Sequence, residues 1–116
     1  MRLVLICGGR GTRLGERNRD GAPKAMLPIH GLPLAEHLWR QVEGLSDVPP
    51  IVIHSAADSH APAWASRRLP QPILCPQLHP DGVANAVALA LPHLEAPALF
   101  LLGDVVLRGV FPARFP

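Results

Sequence analysis

The chain has 116 residues, 48% of them hydrophobic and 17% charged, with a formal net charge of +2. That length is enough for one small packed domain and too short for two, and the composition excludes a disordered or solvating chain. The longest apolar runs, Leu3 to Cys7 and Ala96 to Leu102, fall far short of the roughly 20 residues that cross a bilayer, and the N-terminus lacks the longer apolar stretch of a secretory signal. A single cytoplasmic domain over residues 1–116, with no membrane contact, is the expectation.

Arg2 to Cys7 is a continuous apolar run closed by glycines, the pattern of a central parallel strand buried on both faces. Residues 8–24 follow as a long, glycine-rich loop. It carries Arg10, Arg13, Arg17, Arg19 and Lys24 against Glu16 and Asp20, so the positive field of the whole chain is concentrated there. A compact cationic loop suits a phosphorylated small molecule, whereas a nucleic acid meets a broader basic face. From Pro33, the spacing of Leu34, Leu38, Trp39, Val42 and Leu45 predicts a helix with one apolar face. Pro50 to His54 is β-branched and reads as the second strand. Asp58 to Leu69 reads as a weaker helix, compromised by Pro62, and Ile73 to Cys75 as a short third strand.

Asp81 is a suitable N-cap for a helix running from Gly82 through Leu94, its last turn distorted by Pro92. The Ala and Val residues of that helix lie all round it, which predicts close burial. Ala98 to Leu102 is the fourth strand, ending at Gly103-Asp104. Strands alternating with helices give right-handed βαβ units. The expected fold is therefore α/β: a Rossmann-like, mostly parallel sheet of strand order 3-2-1-4 with helices on both faces. Its fourth strand would be an uncovered apolar edge, open to a homo-oligomeric contact or a complementing chain.

Cys7 and Cys75 end the first and third strands of that order, roughly 10 Å apart and beyond disulfide reach. The histidines at 30, 37, 54, 60, 79 and 93 follow no ligand spacing and read as surface or partly buried residues.

Ligands of open α/β sheets bind beyond the carboxyl ends of the strands, and three features converge there: the glycine-basic loop, the Pro80-Asp81-Gly82 turn and Asp104. Glycines let backbone N–H groups approach phosphate oxygens, and Arg13 can add a bidentate contact. The loop has no Gly-Lys-Ser/Thr ending, and Leu14 stands where a dinucleotide fingerprint needs glycine. Kinase and dehydrogenase readings both weaken.

C-G-G-R-G-T-R-L (7–14) followed by P-K-A-M-L-P-I (23–29) resembles the signature of sugar-1-phosphate nucleotidyltransferases. Q-L-H-P-D-G-V-A-N-A (77–86) is similar to the base-recognition segment of glucose-1-phosphate thymidylyltransferases, and L-G-D (102–104) to the metal-binding strand end of the family. Mannose-1-phosphate guanylyltransferases share the pattern. The resemblance implies a glycosyltransferase A-like fold and a reaction that moves a nucleotidyl group from a nucleoside triphosphate to a sugar 1-phosphate. Gly8, Gly9, Gly11, Thr12 and Arg13 would hold the triphosphate, with Arg13 on the departing phosphates. Lys24 would neutralise charge where the acceptor attacks. Gln77 and the Gly82 backbone would read the base, and Asp104 would bind Mg2+.

The sequence departs from that family in three places. Cys7 stands where Ala is common, the Pro-Leu-Thr element expected between Leu14 and Pro23 is absent, and Val83 and Asn85 replace Leu and Gln. Members of the family are also roughly twice as long, with a C-terminal sugar-binding half that has no counterpart here, so the resemblance implies an incomplete fold and weak catalysis by the chain alone. Two other readings stand beside it: a non-catalytic nucleotide-binding remnant or partner subunit, and a molybdenum-cofactor guanylyltransferase-like enzyme, for which Arg13-Leu14-Gly15 speaks.

Overall fold

The computed structural model describes residues 1–8, 23–78, 82–94 and 97–103. Four parallel strands form the sheet: β1 (Arg2–Ile6), β4 (Ile51–Ser55), β5 (Ile73–Gln77) and β6 (Ala98–Leu102). Their order is β5-β4-β1-β6, the expected 3-2-1-4. Three helices connect them, α1 (Leu34–Val42), α2 (His60–Arg68) and α3 (Val83–Ala90). Before α1, β2 (Pro28–Ile29) and β3 (Leu32–Pro33) make a small antiparallel hairpin.

Alternation along β1 explains its unbroken apolar run. Leu3 and Leu5 enter one core with Leu38, Trp39 and Val42 of α1 and Trp64 of α2. Val4 and Ile6 enter a second core with Ile51, Ile53, and Ala86 and Ala90 of α3. Every side chain of a central strand covered on both faces must be apolar, and helices on both faces supply the cover. Cys7 belongs to the first core and Cys75 to the second. Neither forms a disulfide, because the sheet itself keeps them apart.

Pro62 does not cripple α2, because it is the third residue of the helix, where its missing N–H would have had no intrahelical partner. The two preceding N–H groups are satisfied by Asp58, whose Oδ1 accepts from His60 at 2.8 Å and whose Oδ2 accepts from Ala61 at 3.1 Å. Strand β5 runs two residues further than Ile73 to Cys75. The Ile73 N–H and the Gln77 carbonyl bond toward the β4 side, so the alternation turns Pro76 outward, where an edge strand tolerates it.

The hairpin was not foreseen. Its turn residues His30 and Gly31 have φ of 51° and 81°, the doubly positive pair of a tight two-residue hairpin, written without the usual Asn-Gly or Asp-Gly.

The burial expected of α3 needs correction. Helix α3 is not enclosed on all sides: Ala86 and Ala90 are buried, but Val83 is 52% exposed and Leu89 and Leu91 also face outward. Two alanines one turn apart let the helix lie close to the sheet along a single stripe, which is the fully buried part of the helix, with Val87 packed partly against the same core. Glu36 is also buried on α1, although it stands outside the apolar positions whose spacing marks the core face. Its Oε1 accepts from Trp64 Nε1 at 3.0 Å and from Arg68 Nε at 2.6 Å, while Oε2 accepts from Arg68 Nη2 at 2.6 Å and Arg40 Nε at 3.0 Å. The bidentate Arg68 guanidinium, helped by Trp64 and Arg40, outweighs desolvation and lowers the Glu36 carboxyl from 4.5 to about 2. Because Arg68 lies on α2, this network ties α1 to α2 across the first core.

Strand β6 pairs with β1 in a five-residue register. Among the described residues nothing pairs with its outer edge, and Phe100 and Leu102 are partly exposed there. No helix among the described residues is long and apolar enough to cross a membrane.

Candidate functional site

All four strands are parallel, so their carboxyl ends collect at one rim of the sheet, and the residues that follow them become neighbours. The ladder continues one step past β1 through a bond from Cys7 N–H to the Ile53 carbonyl at 2.8 Å. Gly8 comes next. A Cβ on Gly8 would lie 3.1 Å from Gln77 Oε1 and 3.7 Å from the Ser55 nitrogen, so the absence of a side chain lets the Gln77 amide lie against the main chain at the start of the glycine-basic loop.

Gln77 ends β5 and is only 5% exposed. Its main-chain carbonyl accepts from Ala56 N–H at 2.9 Å, and its Nε2 donates to the Gly82 carbonyl at 3.4 Å. Gly82 precedes α3 with φ of 106° and ψ of −177°, a conformation restricted to glycine. The same Gly82 carbonyl accepts from Ala86 N–H at 3.3 Å, the first bond of α3. Gly8, Gln77 and Gly82, from three distant parts of the chain, thus form one contact group on the α3 side of the rim. A buried amide held at Nε2 with Oε1 beside Gly8 can discriminate among planar hydrogen-bonding ligands.

Lys24 is placed by the other face. It opens a 3-10 turn over Lys24–Met26, in which Met26 N–H bonds to Pro23 and Leu27 N–H to Lys24. Ala25 anchors that turn in the α1/α2 core, leaving Lys24 half-buried at the rim. Gly103, just past β6, donates its N–H to the Ile6 carbonyl at 2.8 Å and is buried against Cys7 and Ala25. The ends of β1 and β6 and the Lys24 turn therefore meet at a second group. Cys7 and Gly8 are consecutive and join the two groups.

Gly9, Gly11, Thr12, Arg13, Asp81 and Asp104 lie outside the described residues. Among the described residues, no group of three or more His, Cys, Asp or Glu side chains converges on a point. His54, read from sequence with the surface or partly buried histidines, is in fact buried at 7% exposure. Its Nδ1 donates to the Ser55 carbonyl at 2.8 Å. Gly103 was legible only as part of the L-G-D strand end; its tight packing depends on three-dimensional neighbours that no local pattern reveals.

Residues 3–110 match the family model described as "MobA-like NTP transferase domain". The chain is 35% identical over 120 residues to the bifunctional protein GlmU of Aromatoleum aromaticum, covering 95% of this chain and 23% of that protein. It is 26% identical over 106 residues to the protein of the same name from Methanocaldococcus jannaschii, covering 91% and 25%. Among solved structures, a nucleotidyl transferase from Methanothermobacter thermautotroptrophicus superposes with a TM-score of 0.69 at 17% identity, over 89% of this chain and 50% of that one. A UDP-glucose pyrophosphorylase from Acinetobacter baumanii gives 0.66 at 21% identity, over 89% and 45%. The chain thus spans about a quarter of the curated relatives it matches and about half of these solved chains.

Proposed function

The chain belongs to the MobA-like NTP transferase domain family, and from that premise we propose that its rim binds a nucleoside triphosphate for nucleotidyl transfer to a sugar 1-phosphate. In that reaction a phosphate oxygen of the acceptor bonds to the α-phosphorus, the bond from that phosphorus to the bridging oxygen breaks, and pyrophosphate leaves. The observation that carries the reading is the Gly8, Gln77 and Gly82 contact group. It places a buried amide and an open backbone at the carboxyl ends of parallel strands, where such folds take their ligands.

In this proposal Gln77 and the Gly82 backbone read the base. Gly8, Gly9, Gly11 and Thr12 carry the phosphates on main-chain N–H groups, and Arg13 takes the charge that develops on the departing pyrophosphate. Lys24 neutralises the α-phosphate and the attacking oxygen. Such a transfer needs charge neutralisation and alignment and no covalent nucleophile. Mg2+ fits the donor set: it is ordinarily held by one or two carboxylates together with substrate phosphates, which Asp104 and the triphosphate would provide, and no cluster of softer ligands competes among the described residues. Bound there, it would supply further charge neutralisation. We assign this chemistry to the cytoplasm.

The test is pyrophosphate release by the 116-residue chain, supplied with each nucleoside triphosphate, Mg2+ and a panel of sugar 1-phosphates. Slow turnover that falls at least tenfold in Lys24→Ala is expected. Nucleotide binding without turnover would favour a second reading, a nucleotide-binding subunit completed by another chain.

A further inference from the structure

Gly103 is enclosed more tightly than the end of a strand requires. A Cβ there would lie 2.9 Å from Cys7 Sγ, 3.1 Å from Ala25 Cβ and 3.2 Å from the Ile6 carbonyl oxygen. Its φ is not among the positive values that mark Gly31 and Gly82, so the glycine is not required for its conformation. Gly31, Gly44 and Gly82 have nothing within 4 Å of the same position. What excludes a side chain at 103 is the neighbours alone.

Those neighbours come from separate parts of the chain. Cys7 follows β1, Ala25 sits in the turn before the hairpin, and Gly103 follows β6. Cys7 and Ala25 are 1% and 2% exposed, so the seam is closed. Each member adjoins a residue to which the proposed function gives a role: Gly8 follows Cys7, Lys24 precedes Ala25, and Asp104 follows Gly103. The three contacts are not equally stiff. The Ile6 carbonyl is fixed by the sheet and by its bond to Gly103 N–H. The main chain of Cys7 is held by its N–H bond to Ile53, and its Sγ is enclosed in the first core. Ala25 rides on a single 3-10 turn closed by two hydrogen bonds. An added methyl at 103 would therefore displace the Lys24 turn before it displaces the sheet.

We propose that the Cys7, Ala25 and Gly103 seam is a positioning device that locks the cationic Lys24 turn to the end of β6, making Gly103 and Ala25 positioning residues for the two charged halves of the site. The inference rests on the nucleotide-binding reading above for the roles of Lys24 and Asp104, and goes beyond it in assigning the alignment to packing by small residues.

The test compares wild type, Gly103→Ala, Gly103→Ala with Cys7→Ala, and Ala25→Gly. It measures nucleoside triphosphate affinity by calorimetry with and without Mg2+, and stability by urea denaturation. Gly103→Ala is expected to weaken nucleoside triphosphate binding about tenfold both with and without Mg2+, because the displaced turn carries the Lys24 charge that faces the α-phosphate. Removing the sulfur opens the tightest of the three contacts, so the double variant should recover most of that affinity. Ala25→Gly loosens the seam without a clash; it reports even if Gly103→Ala fails to fold, and should also weaken binding. A stability loss in these variants with wild-type nucleotide affinity would overturn the inference and leave the seam as packing only. A wild-type chain that binds no nucleotide would be seen before any variant is compared, and would overturn the inference together with the reading beneath it.

Discussion

Replacing Glu36 by Gln removes the charge at the centre of the α1 to α2 network while keeping a side chain of the same shape. The Glu36 pKa falls from 4.5 to about 2 in the folded chain, which at about 1.4 kcal/mol per unit corresponds to roughly 3 kcal/mol of stabilisation at neutral pH. The side chains of Arg68 and Arg40 keep 43% and 57% of their surface exposed, so they can return to water when the carboxylate is lost, and screening brings the expected cost nearer about 2 kcal/mol. The sign follows from the depressed pKa. The stabilisation is complete above the unfolded value of 4.5 and disappears as pH falls toward 2, because the unfolded chain takes up the proton first. Urea denaturation of wild type and Glu36→Gln at steps from pH 7 to pH 2.5 measures this directly. The variant should be about 2 kcal/mol less stable at pH 7, and the gap should close below pH 4.5. A gap that stays constant across that window would refute the argument that Glu36 is held ionised by Arg68.

A methyl placed on Gly8 would meet Gln77 Oε1 at 3.1 Å, a contact relieved when the end of that side chain gives by a few tenths of an ångström. Gly8→Ala should therefore change urea stability by less than about 1 kcal/mol, yet weaken nucleotide binding about tenfold by calorimetry. Cys7 and Cys75 are buried and form no disulfide, and burial raises the Cys75 thiol above its ordinary value. Both should resist a water-soluble thiol reagent in the native chain and react fully in denaturant, with no mass change on prior reduction.

The sheet was legible because its cause is local. Apolar runs closed by glycine or proline mark β1, β4 and β6, and alternation with helical segments leaves few ways to order them. What escaped the sequence depends on neighbours distant along the chain. Glu36 looks like an ordinary polar position until Arg68 and Trp64 arrive from α2. The apolar circumference of α3 implies enclosure, yet only the Ala86 and Ala90 stripe is fully buried. The hairpin hides because its turn is His30-Gly31, without the Asn-Gly or Asp-Gly pair that marks a tight hairpin in a sequence. Gln77 and Gly82 could be named from the resemblance of their segment to a base-recognition motif, but composition alone marks Gln77 as nothing more than a polar residue in a proline-rich stretch. Its contact with Gly8 arises from parallel register across β1, β4 and β5, which no local pattern encodes.

The central claim is that the rim binds a nucleoside triphosphate through Gln77 at one end and the glycine-basic loop at the other. Calorimetric titration of the chain with each nucleoside triphosphate, with and without Mg2+, tests it most directly when repeated on Gln77→Ala and Arg13→Ala. The account expects one base to be preferred, that preference to vanish in Gln77→Ala, and affinity for every nucleotide to fall in Arg13→Ala. No heat of binding with any nucleotide, or equal affinities in all three proteins, would contradict it.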